Sequence, residues 1–259
     1  MRHLSIVPRY RSVSAWSQHV PIAHWLVESL RPRTVVELGT YRGVSFFAFC
    51  EAAEHYSPET FIHAVDTWQG DEHLGFYGEE VFEKVSEYWG RHHKTHSALI
   101  RSTFDEAAGH FGEKSINLLH IDGLHTYEAV RHDYETWLPL VAEDGVILFH
   151  DINVRTRGFG VWKLWEELKA EHPDEYLESL NGSGLGLLFL GGTNKPDQEE
   201  WQRVMPLMTA KGLILESLGQ EVAKVEAARR EIGALKAQLA RITESSFLKL
   251  LVKIQSLFR

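Results

Sequence analysis

The sequence predicts an α/β protein: a seven-stranded, mostly parallel sheet with helices on both faces, an antiparallel hairpin at its C-terminal edge, and a helical tail. Three observations carry this reading. Short apolar runs alternate with polar, helix-periodic segments from residue 34 to about residue 190, the pattern of buried parallel strands under covering helices. Two of the runs, Ile116 to Ile121 and Val146 to Phe149, end in carboxylate and imidazole groups, Asp122 with His125 and His150 with Asp151. Tyr176 to Leu180 and Leu185 to Leu190 flank Asn181-Gly182-Ser183-Gly184, a hairpin turn.

The elements follow in order. Residues 1–33 read as a helical lead-in. Pro21 suits a first helical turn, and Ile22, Trp25, Leu26 and Leu30 share one face of a helix over about 21–30. The main domain spans 34–192. Its strands are expected at 34–38, 61–65, 98–100, 116–121 and 146–149, before the hairpin. Helices are expected at 43–54, 79–89, 104–111, 127–138 and 161–171. Residues 193–217 read as a connecting segment and 218–259 as a tail. In the tail Val225, Ile232 and Leu239 are seven apart, and so are Ala228, Leu235 and Ile242, which predicts a short coiled coil and, through it, a homo-oligomer. The alternative is a single helix packed on its own domain. The final stretch, 245–259, is apolar and basic with no acid, which suits weak contact with a membrane surface or a cap on a helical assembly.

Composition narrows the function classes. With 259 residues, 44% of them hydrophobic and 24% charged, the chain builds one large core with an appendage. A single cysteine, Cys50, excludes an internal disulfide and fits a reducing compartment; it reads as a buried small hydrophobe. No apolar stretch is long enough to span a bilayer and no signal-peptide core opens the chain, so a cytoplasmic place, peripheral at most to the inner membrane surface, is expected. The net charge of −9 argues against a nucleic-acid binder. That charge is uneven: residues 219–259 carry +4 and the rest −13, so the tail is expected to have a partner of its own.

The chemistry is expected at strand ends, because open α/β sheets bind ligands outside the carboxyl ends of their strands. Glu37-Leu38-Gly39-Thr40-Tyr41-Arg42-Gly43-Val44-Ser45 joins the first strand to the first helix of the domain. Gly39 and Gly43 let the backbone bend and let a ligand approach. Their spacing is too wide for the dinucleotide fingerprint, which counts against a nicotinamide-dependent oxidoreductase. Glu37, just before the turn, is placed to meet a cationic or amino group. Asp66 ends the second strand, where a carboxylate accepts from ribose hydroxyls or caps a turn. Thr67 and Trp68 open a long loop, 67–78, of the lid or binding-loop kind. Ser102, Thr103 and Phe104 follow the third strand and can edge and stack an adenine ring, cap a helix, or both.

Asp122 and Asp151 are the candidate metal ligands, with His150 either a third ligand or a support. His125, three residues past Asp122, titrates near neutrality and can take a proton from a substrate hydroxyl. His120, inside a strand, reads as a core histidine. His63, His92, His93, His96 and His132 read as ordinary surface or helix residues.

Together these residues resemble the class I S-adenosylmethionine-dependent methyltransferases, whose sheet is Rossmann-like. The turn from Glu37 to Ser45 is like their cofactor motif, and Asp66 sits like their ribose-binding acid. The stretch from Ile121 to Asp151 looks like a metal-dependent branch of sugar O-methyltransferases from antibiotic and surface-glycan pathways (methyltransferase family 24, with cephalosporin-biosynthesis relatives). The resemblance covers about residues 30–192. It implies S-adenosylmethionine over Glu37, Gly39, Thr40, Tyr41, Gly43, Ser45, Asp66, Thr67, Trp68, Ser102, Thr103, Phe104 and Asp122. It implies Mg²⁺ or a similar ion on Asp122, Asp151 and His150, with Asp122 and His125 catalytic and His125 as base. The chain departs from some members in having His150 where they carry a second carboxylate. A small-molecule or glycan acceptor follows from the resemblance, with Arg155, Arg157 and the 67–78 loop as candidate contacts. The competing reading is a non-catalytic, cofactor-sensing scaffold of a surface-polysaccharide assembly complex.

Overall fold

The computed structural model describes residues 4–257 apart from Leu74, Thr193 and Ser245. The helices are α1 (Val20–Leu30), α2 (Val44–Tyr56), α3 (Glu79–His92), α4 (Phe104–Ala108), α5 (Tyr127–Trp137), α6 (Val161–Glu171), α7 (Gln198–Glu244) and α8 (Ser246–Leu257). The strands are β1 (Thr34–Leu38), β2 (Phe61–Asp66), β3 (Gly70–Asp71), β4 (Gly75–Phe76), β5 (Ser97–Arg101), β6 (Ile116–Ile121), β7 (Val141–His150), β8 (Tyr176–Ser179) and β9 (Leu185–Phe189). Seven strands form one sheet in the order β5-β2-β1-β6-β7-β9-β8, and β3 and β4 pair as a small hairpin inside the 67–78 loop. The first five strands of that order are parallel, and β9 runs antiparallel to both β7 and β8. The sheet is Rossmann-like, with an antiparallel hairpin at one edge.

From β1 the chain first builds outward through β2 to β5, then returns to lay β6 on the other side of β1. The strand order reverses there, and a crevice opens at the carboxyl ends of β1 and β6. Apolar side chains cover both faces of the sheet. On one face α1 and α2, including Phe46 and Phe49, pack over Val35, Leu118 and Leu148. On the other, α5 and α6 bring Trp137 and Trp165 against Val36, Leu119 and Ile147. Cys50 is buried in the first of these cores.

Several element bounds differ from the sequence expectation, each for a physical reason. The fifth parallel strand begins at Val141 rather than Val146, because Glu143 and Asp144 are exposed inside an extended strand that the pattern reads as a turn. α4 stops at Ala108, before Gly109 and Gly112. The segment 193–217 is helical from Gln198, so the tail is continuous with a helix docked on the body. Trp201, Val204, Met208 and Leu215 of α7 belong to the first core. Two glycines seven residues apart allow that docking. A Cβ on Gly212 would lie 2.3 Å from the Gln18 carbonyl oxygen, and one on Gly219 would lie 2.8 Å from that of Ser12. Beyond the body, Val225, Ile232, Leu235, Leu239 and Ile242 of α7 stay exposed. His93, expected at the surface, is buried with its Nδ1 2.7 Å from Glu54. No helix among the described residues is long and apolar enough to cross a membrane.

Candidate active site

A cavity of about 550 Å³ occupies the crevice. Its floor is the β1–α2 turn. Gly39 has φ of +90°, and a Cβ there would lie 2.0 Å from the Asp122 carbonyl oxygen. The carboxyl ends of β1 and β6 therefore touch backbone to backbone, which only glycine permits. Tyr41 also adopts a left-handed backbone, with φ of 46°. Asp66 braces this turn: its Oδ2 accepts from the Thr40 and Tyr41 N–H groups at 2.8 Å each, and its Oδ1 accepts from the Trp68 N–H at 2.6 Å. Burial raises the Asp66 carboxyl above its usual value, and the three N–H donors work against that rise.

The structure brings Gly39, Thr40, Tyr41 and Ser45 to the cavity wall, together with Asp66, Thr67, Thr103 and Phe104. Thr103 also caps α4, accepting from the Glu106 N–H. Four residues expected against the cofactor stand behind the wall instead. Glu37 is wholly buried, because it faces inward from a strand covered on both sides, and it meets His120 rather than solvent. Trp16 Nε1 donates to His120 Nε2 at 3.0 Å, so that nitrogen is unprotonated and His120 Nδ1 donates to Glu37 Oε2 at 3.1 Å. His120 is the core histidine its strand position predicts. Gly43 is turned onto Phe47, where it caps α2 with φ of +79°. Trp68 is buried, its Nε1 donating to the Tyr41 carbonyl. Ser102 turns away to bond Glu106.

The opposite wall carries the charge. Asp122 follows β6, His150 closes β7, and Asp151 sits just beyond it. His125 Nε2 lies 2.8 Å from Asp151 Oδ2 and 3.4 Å from Asp122 Oδ1. His150 Nδ1 lies 3.1 Å from Asp122 Oδ1 and 3.5 Å from Asp151 Oδ2. Burial alone would raise the Asp122 carboxyl, but His150 and His125 outweigh it and hold the group down to about 2; Asp151 is held lower still by the same pair. Burial would lower the imidazoles, but the two carboxylates raise His125 to about 9 and His150 to about 10. This part of the site is two carboxylates clasped by two imidazole rings. One ligand atom from each of Asp122, His125 and Asp151 falls within 4.8 Å of the others, a set able to hold a metal ion. His150, expected as the third ligand, lies outside that set, and its ring packs edge-on against His19.

Several residues that position this wall carry no signal in the sequence. Asp151 has φ of 64°, a left-handed conformation rare for a side-chain-bearing residue. Its N–H donates to the Gly184 carbonyl at 3.0 Å, so the hairpin turn after β8 braces the aspartate. Phe159 stacks on His125, with ring centroids 4.5 Å apart and planes 8° apart. Arg157 lies over Phe159 and Arg155 over Trp162, and neither lines the cavity. From the 67–78 loop, Gly70, Asp71 and Tyr77 do line it. The lead-in contributes Ser14, Ala15 and Trp16, which close one end of the cavity. Behind them burial pushes His19 down to about 3, and its ring packs edge-on against His150.

Comparison with known proteins gives three findings. A family model described as a methyltransferase domain matches residues 36–152. The uncharacterized protein y4gI of Sinorhizobium fredii is 48% identical over 181 residues, which is 69% of this chain but 19% of that protein; the chain thus spans about a fifth of the relative's length. Among solved structures, the methyltransferase PaMTH1 of Podospora anserina, bound to S-adenosylhomocysteine, superposes with a TM-score of 0.52 at 16% identity, covering 66% of this chain and 77% of that one. The O-methyltransferase TomG of Streptomyces achromogenes, in complex with S-adenosylmethionine, gives 0.51 at 14% identity, covering 73% and 86%. At such identities these two establish the shared fold.

Proposed function

We propose that the protein, whose residues 36–152 match a family model described as a methyltransferase domain, is an S-adenosylmethionine-dependent O-methyltransferase acting, with the help of a divalent cation, on a hydroxyl of a sugar or glycan-type acceptor. The observation that carries this reading is the cavity at the β1/β6 reversal. One wall is a glycine turn braced by Asp66, and the other is the Asp122–His125–Asp151 cluster.

The residues present fit both groups. The cavity volume lies in the range of small-molecule sites. Asp66 keeps acceptor capacity on Oδ1 for ligand hydroxyls, and Phe104, Tyr41 and Tyr77 offer aromatic surface. Two carboxylates with an imidazole suit Mg²⁺ through their oxygens and Mn²⁺ or Zn²⁺ as a mixed set. S-Adenosylmethionine supplies an electrophilic methyl group, and a divalent cation held by Asp122 and Asp151 supplies Lewis acidity toward an acceptor oxygen. The chain's own residues do the rest. The glycine turn and Asp66 fix the donor side, and the 67–78 loop and Trp16 narrow the entrance and exclude water. His125 Nε2, aimed at both carboxylates and held flat by Phe159, takes the hydroxyl proton once those carboxylates are engaged elsewhere. His150 keeps the two aspartates together from behind. Most of the acceleration comes from holding acceptor and donor in line.

Calorimetry tests this reading. S-Adenosylmethionine is expected to bind the full chain and NAD is not. Transfer of labelled methyl from S-adenosylmethionine into glycan extracts is expected to stop on chelation and in Asp122→Ala, with donor binding kept. Binding of NAD alone, or full transfer by Asp122→Ala, overturns it. His125→Ala separates the roles of that residue: a base is lost without loss of cation binding, whereas a ligand is lost with it.

A second element of the reading concerns α7. We propose that its exposed heptad positions pair with a second copy of the chain, with Val225, Ile232 and Leu239 at one position and Leu235 and Ile242 at the other. Glu231 and Lys236 flank that seam with complementary charge. Sedimentation is expected to give a dimer for the full chain and a monomer for Leu235→Glu/Leu239→Glu; equal mass for both contradicts the pairing.

A further inference from the structure

Beside the candidate active site lies a second groove, with a cavity volume of about 680 Å³, formed by residues 10–13, one face of α3, and α7 from Val222 to Arg230. Six Lys and Arg side chains line it against three Glu, in a chain whose net charge is −9. Several cations elsewhere are paired, Arg9 with Glu54, Arg101 with Glu79 and Arg131 with Glu135. Within the groove Glu87 is taken up by Arg91. Arg42, Lys84, Arg229 and Arg230 have no carboxylate within 4.0 Å among the described residues.

Arg42 lines both the groove and the active-site cavity. The Tyr10 hydroxyl donates to the Arg42 carbonyl at 2.6 Å and fixes the backbone there. The far wall is held by the two glycine contacts of α7, Gly212 on Gln18 and Gly219 on Ser12, which bring Arg229 and Arg230 over α3. Unpaired cations cost nothing while hydrated at a surface, but gathered in a concave site they raise the local concentration of an anion. Guanidinium forks match phosphoryl oxygens in bidentate geometry, and three of the four unpaired cations are arginines.

We infer that the methyl acceptor carries a phosphate or diphosphate group, seated in this groove by Arg42, Lys84, Arg229 and Arg230 while its hydroxyl reaches the cavity past Arg42. The inference rests on the methyltransferase reading and names the acceptor class for it. It also gives the basic start of the tail a role within the same chain.

The test uses the full-length protein saturated with S-adenosylhomocysteine and inorganic pyrophosphate as the probe, followed by calorimetry at low and at elevated salt. Wild type is expected to bind pyrophosphate, more weakly as salt rises. Arg229→Ala/Arg230→Ala is expected to bind roughly tenfold more weakly or worse, with Lys84→Ala as an independent second variant. Lys94→Ala, outside the groove, is expected to bind as wild type does. None of these changes should alter S-adenosylhomocysteine binding. Competition then assigns the source of the phosphoryl group: displacement by a nucleoside diphosphate supports a soluble acceptor, and displacement by phosphatidate vesicles supports a lipid-linked one. Absence of pyrophosphate binding, or equal binding by wild type and both groove variants, overturns the inference. If S-adenosylhomocysteine binds in that case, the methyltransferase reading survives; if it does not, that reading falls as well.

Discussion

The carboxylate at the end of β2 and the two beyond β6 and β7 face the same cavity and are treated in opposite ways. Asp66 meets only backbone N–H groups and is raised by burial, whereas Asp122 and Asp151 meet only imidazoles on their charged side and are held low. Backbone donors cannot move, so Asp66 is committed to the shape of the β1–α2 turn. The imidazoles exchange protons and can give up their partners, so the other pair is free for chemistry. One wall is a cradle and the other is reactive.

The largest expected effect breaks the reactive wall. Asp122→Asn and Asp151→Asn are each expected to lower the turnover number of methyl transfer by about 10² to 10⁴, with donor affinity by calorimetry nearly unchanged. Asp66→Asn is the mirror experiment. Its amide N–H₂ turns against backbone donors, so a stability loss of about 1–3 kcal/mol and weaker donor binding are expected, with turnover at saturating donor largely kept. Equal effects on turnover from both changes would erase the distinction between the walls. The seam where the two walls touch is tested by Gly39→Ala. Its Cβ meets the Asp122 carbonyl at a left-handed backbone, and a loss of about 2 kcal/mol or more is expected in thermal unfolding.

The smallest effect is one of pH. In chelator-treated protein His150 is raised from an ordinary 6.5 to about 10. A group raised in the folded state stabilises fully below its unfolded value and loses that stabilisation as pH rises through the folded one. The melting-temperature advantage of wild type over His150→Asn is therefore expected to be largest near pH 6 and to vanish toward pH 10. An advantage independent of pH would place His150 among purely packed residues.

The sheet was legible because parallel strands buried on both faces leave short apolar runs that little else produces; Ile116–Ile121 is the clearest. The convergence of Asp122 and Asp151 was legible in part, since both close strands that the alternation makes neighbours. The choice between His125 and His150 was not. Both sit at strand ends and are equally buried, and only their ring neighbours, Phe159 for His125 and His19 for His150, tell them apart. Glu37 was misplaced because chain position does not reveal that a strand side chain points into the covered face. Trp16 and Ser14 reach the cavity through tertiary packing of a lead-in whose composition is unremarkable. The docked half of α7 did leave a trace, Trp201, Val204, Met208 and Leu215 at helical spacing, masked by the turn-forming residues around Thr193 that suggested a connection.

The most direct test of the account is a crystal structure of the protein with S-adenosylhomocysteine and Mn²⁺, read by anomalous scattering. The account expects the nucleoside in the cavity beside Gly39 and Asp66, and the manganese signal on the carboxylates of Asp122 and Asp151. A nucleoside bound outside the β1/β6 crevice, or manganese absent from those two aspartates, would contradict it.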